Sequence, residues 1–105
     1  MAQFIAYKNP NSRTKKLYPL LLDIQSNLLD ELKTTIVIPL SPSSISGSSA
    51  ITKLCPQIDI EGKPYIAMTQ QIAGVERSVL GKEVYDLSGY RSEIIAALDF
   101  VISGI

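Results

Sequence analysis

Residues 34–40, TTIVIPL, carry the clearest strand signal in the chain. A run of β-branched residues suits a pleated backbone, where a branched Cβ packs well and loses little rotamer freedom. Pro39 lacks the amide donor that would continue a ladder, so the strand is expected to end there. On its C-terminal side stands SPSSISGSSA, residues 41–50, with six serines, one proline and one glycine. That composition predicts a mobile loop with Ile45 as its only large apolar side chain. On the N-terminal side lies QSNLLDELK, residues 25–33. Ser26 or Asn27 suits a cap there, and Leu28-Leu29 is either a core plug or an exposed sticky spot.

Further out, the same β-type pattern recurs. Gln3 to Tyr7 (QFIAY) and Leu17 to Ile24 (LYPLLLDI) read as strands, with Pro19 marking a bulge or an edge. Between them KNPNSRTKK, residues 8–16, is rich in turn formers and holds four of the ten basic residues. Gln57 to Ile60 and Lys63 to Thr69 form a hairpin around Glu61-Gly62, with Ile58 and Ile60 on one face and Asp59 and Glu61 on the other. Further strands are expected over Gln70 to Val75 and near Ser78 to Leu80, closed by Gly81.

The final segment changes period. From a cap near Ser88, Ile94, Leu98, Val101 and Ile105 fall on one helical face, with Tyr90 and Ala97 beside them. Ser92, Ala96, Asp99 and Ser103 fall opposite and should see water. Ile95, Ile102 and Phe100 lie on the shoulders, giving more apolar surface than one sheet covers. The excess points to a second contact, a dimer or a ligand protein. The helix also ends without a cation: no Lys or Arg follows Arg91, although its last carbonyls, Asp99 and the terminal carboxylate are all negative. Either a distant Lys or Arg neutralises this end, or a partner does.

One domain, residues 1–105, is expected, mainly β with one C-terminal helix. The apolar fraction of 46% supports a packed core, and ten basic against ten acidic residues argue against a phosphate-binding face. Neither a signal peptide nor a membrane span is evident, so a cytoplasmic location is expected. With one cysteine, Cys55, no intrachain disulfide can form. The absence of histidine excludes Ser-His-Asp and Cys-His mechanisms and leaves zinc without a ligand set; no metal or cofactor is expected. Gly62-Lys63 and Gly81-Lys82 lack the glycine loop of a nucleotide site. Asp59, Glu61 and Lys63 form a row on one strand face, read as solvated.

The blocks LLLDIQSNLLD, TTIVIPL, MTQQIAGV and LSGYRSEIIAALDFVISGI, in this order and ending on Gly-Ile, resemble the CcdB family of toxins across essentially the whole chain. The resemblance implies an SH3-like barrel of the CcdB/MazF/Kid type and a homodimer. It implies a target, the A subunit of DNA gyrase, whose cleaved-DNA complex the toxin traps. The chain is therefore expected not to be an enzyme. A CcdA-like antitoxin would neutralise it, and the pair would repress its operon with DNA contacts made by the antitoxin. Carried over by position, the gyrase surface falls on Leu28, Leu29, Asp99, Ile102, Ser103, Gly104 and Ile105. The antitoxin surface falls on the loops 8–14 and 41–50, namely Lys8, Asn9, Asn11, Arg13, Ser43, Ile45 and Ser46. The best-known member has tryptophan where this chain has Ser103 and asparagine where it has Asp99. Two alternatives remain: an endoribonuclease toxin of the same fold, and an inactive homologue that only binds antitoxin.

Overall fold

The structure, a computed structural model, describes residues 3–46 and 53–104. The stretch around Ile36 is its hub. Strand β3 runs from Thr34 to Pro42, longer than expected, and passes through Pro39. One edge pairs antiparallel with β2 (Leu20–Asp23) along Leu20↔Leu40 to Asp23↔Val37. The other edge has two successive partners: β6 (Ala73–Glu76) pairs with residues 34–37, and β5 (Lys63–Ala67) with residues 40–42. Pro39 falls between these partners, where no ladder bond is required of its nitrogen. Its carbonyl accepts the Met68 N–H at 2.9 Å.

Strand β1 spans Ile5–Lys8, β4 Gln57–Ile60 and β7 Glu83–Asp86. They complete one antiparallel sheet in the order β4-β5-β3-β2-β1-β7, curled into a half-barrel, with β6 on the second edge of β3. The β4–β5 hairpin is as expected. Glu61 and Gly62 both take positive φ, 50° and 82°, which is the two-residue turn whose twist matches the strands. Ile58 and Ile60 are buried while Asp59 and Glu61 face water.

Three further expectations are corrected. Strand β2 begins at Leu20, because Tyr18 N–H bonds back to Thr14 O at 2.7 Å and holds residues 14–18 in turns. Ser78 to Leu80 is no strand: Arg77–Val79 forms a 3-10 turn, and the strand follows Gly81 as β7. At Gly81 the chain passes so close to β1 that an added Cβ would lie 2.7 Å from Lys8 O, so glycine is required there. Finally, Val101 is exposed rather than part of the core.

Two short α-helices complete the chain, α1 (Ser43–Ser46) and α2 (Arg91–Ser103). Ser88 opens a 3-10 turn before α2, and the α-helical cap position is Tyr90. Tyr90 OH accepts the Asp59 N–H at 3.1 Å and ties the start of α2 to the hairpin. Ile94 and Ala97 are fully buried, Ile94 within the core cluster that holds Leu22, Ile38 and Leu40, with Leu98 and Ile95 packed at its margin. From Val101 onward every described residue is exposed, because the last turn overhangs the core. No helix among the described residues is long and apolar enough to cross a membrane.

Candidate functional site

Among the described residues, the two most exposed large apolar side chains, Leu28 and Ile102, mark two spots that stand in water. The first is the loop between β2 and β3, where Asn27–Leu29 forms a 3-10 turn. The Ser26 hydroxyl accepts the Leu28 N–H at 3.1 Å, the local cap that the sequence anticipates. Leu28 is 94% exposed, and residues 27–34 are all exposed, so the Leu pair is not a core plug. The second is the overhanging end of α2, where Ile102 is 84% exposed and Asp99, Ser103 and Gly104 face water. The Ser103 hydroxyl bonds to Asp99 O at 2.7 Å, and Gly104, at φ 76°, donates its N–H to Phe100 O in a left-handed cap. Ile105 lies outside the described residues.

No basic residue lies in the last turn of α2. A cation from elsewhere does approach: the Lys53 ammonium sits 5.3 Å from the centroid of the Phe100 ring, beside Asp99 in sequence. It meets the aromatic face, and among the described residues Asp99 has no ion pair.

The exposed Leu loop rests on a polar cluster that sequence spacing did not reveal. Asp23, at the end of β2, is 1% exposed. Its Oδ1 accepts the Thr35 hydroxyl at 2.7 Å and the Gln25 N–H at 3.2 Å. Its Oδ2 lies 3.8 Å from Nη1 of Arg77, a side chain with only 14% exposure. The same guanidinium donates Nε–H to Leu32 O at 2.8 Å and Nη2–H to Leu29 O at 3.3 Å. Asp23 and Arg77 are 54 positions apart, as 77 less 23 gives, and no local signal joins them.

The loop 8–14 and the described start of the loop 41–50 both border the β4–β5 hairpin; residues 47–50 lie outside the described residues. A groove of about 460 Å³ is lined by Lys8, Lys15 and Lys63, with Glu61 as its one acidic side chain, around Leu20, Ile60 and Tyr65. Lys63 and Tyr65 continue into a second recess that reaches Pro42, Ser43 and Ser44. Ile45 is 54% exposed beside it, and Ser46 ends α1. Asn9 lines the groove but is buried, and its side chain organises the loop. Its Nδ2 donates to Thr14 Oγ1 at 2.9 Å and Tyr18 O at 2.8 Å, and its Oδ1 accepts the Asn11 N–H at 3.1 Å. Asn11 Oδ1 in turn accepts the N–H of exposed Arg13 at 2.9 Å.

Known structures share this architecture. An endoribonuclease in complex with its cognate antitoxin, from mycobacterial species, superposes with a TM-score of 0.77 at 11% identity, covering 97% of this chain and 94% of that one. A second mycobacterial endoribonuclease gives a TM-score of 0.75 at 11% identity, covering 97% and 90%. At that identity what is shared is the fold. These neighbours nevertheless correct the expectation that the chain is not an enzyme. The same backbone serves RNA cleavage elsewhere, and phosphodiester chemistry can proceed on Arg, Lys, Asp and hydroxyl groups, all present here, so the lack of histidine and metal ligands does not decide the matter.

The sequence itself is matched by the family model described as CcdB protein over residues 3–104, which includes the Leu loop, the hub strand and the helix end. The chain belongs to the CcdB family of toxins.

Proposed function

We propose that this toxin acts on the A subunit of DNA gyrase and traps the cleaved-DNA complex. Contact is made through Leu28, Leu29, Asp99, Ile102, Ser103, Gly104 and Ile105. One observation carries the reading: Leu28 and Ile102, 94% and 84% exposed, are left in water at positions that the family resemblance assigns to gyrase. Burying one such side chain is worth about 1.5–3 kcal/mol, which a partner gains and the free chain forgoes. The toxin works as a homodimer, for which exposed Leu32 and Ile36 and a zero net charge provide a permissive surface.

A CcdA-like antitoxin neutralises the toxin through the loops 8–14 and 41–50, lying along the groove between the first loop and the β4–β5 hairpin and on into the recess at Ser43 and Ser44. Lys8, Lys15 and Lys63 around an apolar floor suit an acidic segment with alternating apolar side chains. Operator DNA is reached through the antitoxin.

Purified gyrase, ATP and supercoiled plasmid, with and without the protein, test the proposal. Accumulation of linear, protein-linked DNA is the expected result; absence of both cleavage and binding to the gyrase A dimerisation fragment overturns it.

An endoribonuclease activity is the second reading, favoured by the identity of the two fold neighbours. The lysine-rimmed groove is where RNA phosphates would sit. Defined fragments from incubated RNA, lost on Lys8→Ala with Lys63→Ala, would establish it.

A further inference from the structure

The loop that presents Leu28 and Leu29 has an unusual energetic basis. None of residues 27–34 is buried, so no apolar anchor holds it to the body of the protein. Exposed segments without buried side chains open at low cost. Yet here the backbone carbonyls at both ends of its second turn are gripped. Arg77 donates to Leu29 O at 3.3 Å and to Leu32 O at 2.8 Å, and its own N–H bonds to Lys33 O at 2.8 Å. The guanidinium is oriented by buried Asp23, which the Thr35 hydroxyl and Gln25 N–H hold in turn. A planar fork with several donors can serve two carbonyls and a carboxylate together, which a lysine ammonium on a flexible stem does poorly.

The geometry points to Arg77, seated on Asp23, as the positioning residue of the Leu28-Leu29 surface. It holds the loop in the presenting conformation before a partner arrives, so that binding does not bear the ordering cost. This rests on the reading of the Leu pair as a partner surface, but the latch itself is measurable without any partner.

The test compares wild type, Arg77→Lys and Arg77→Met. Arg77→Lys keeps the charge opposite Asp23 and loses the fork. Amide hydrogen exchange at Leu29 and Leu32, whose N–H groups bond to Ser26 O and Leu29 O, reads loop order directly. The expected result is exchange about ten- to a hundredfold faster at these amides in both variants, with β2 and β3 amides unchanged in Arg77→Lys. Affinity for the gyrase A fragment falls by a similar factor. Leu28→Ala is the control: it should lower affinity without speeding exchange. Unchanged loop exchange in both Arg77 variants overturns the proposal. So does faster exchange throughout the sheet of Arg77→Lys, which would make Arg77 a general stabiliser. If wild type fails to bind the gyrase fragment, the gyrase reading falls, while the exchange data still decide the latch.

Discussion

The loop at Leu28-Leu29 and the tail of α2 expose nearly equal apolar tips, 94% at Leu28 and 84% at Ile102, but they are held in opposite ways. The tail holds itself. Its carbonyls are met by the Ser103 hydroxyl and the Gly104 N–H, both within five residues, and its direction follows from Ala97 and Ile94, packed about one and two turns earlier. The loop has local turn bonds too, but its attachment to the body comes from afar: Gln3 N–H donates to Asn27 Oδ1 at 2.9 Å, and an arginine that arrives after β6 holds the carbonyls of Leu29 and Leu32. An overhanging helix end can remain ordered through local hydrogen bonds, whereas an irregular loop with no buried side chain needs a tertiary clamp.

That contrast can be broken at several points. Ile94→Ala should have the largest effect, about 2–5 kcal/mol lost in chemical denaturation, because it leaves a cavity beneath a fully buried helix residue. Intact stability would mean that α2 docks by some other contact. Ile102→Asp should leave stability within about 0.5 kcal/mol, as exposed sites usually do, while costing at least about 2 kcal/mol in gyrase A affinity measured by calorimetry. A large fall in melting temperature would show that the tail is packed after all. Ser26→Ala should cost roughly 0.5–1 kcal/mol through loss of the Leu28 N–H cap, read in the same denaturation assay. Ser103→Ala should cost less, since a hydroxyl bonded back to the preceding turn adds little.

The smallest effect expected is a pH dependence outside both spots. The Asp86 carboxyl is held below the usual carboxylate range, first by the Ser88 N–H and then by the Ser88 hydroxyl. A lowered folded pKa favours the folded chain above the unfolded pKa, and that contribution disappears as pH falls through the folded value. The melting temperature of Asp86→Asn should therefore fall less on acidification than that of wild type. An identical slope would mean that Asp86 contributes nothing to it.

Much of this architecture was legible in local chemistry. Five successive β-branched residues made β3 a strand, Glu61-Gly62 made a hairpin, and Ile94 with Ala97 marked the buried side of the helix. Where the reading failed, the deciding contact was distant. Pro39 looked like a strand end, but a change of neighbouring strand at that position removed the need for its missing donor. Glu83–Asp86 has no alternating pattern, and pairing with β1 made it a strand. Val101 lies on the apolar arc, but only the folded chain shows that burial along α2 ends at Ala97 and leaves Val101 exposed.

By itself, then, the sequence determined the strand-rich fold class, the family and the positions of the two apolar tips. Backbone propensity, turn chemistry and helical period all act within a few residues. Only the tertiary structure decided that both tips stand in water and that Arg77 with Asp23 clamps the loop. It also decided that Lys8, Lys15 and Lys63 share one groove. Exposure and long-range hydrogen bonds depend on which distant segments the folded chain brings together, and no local pattern of residues encodes that pairing.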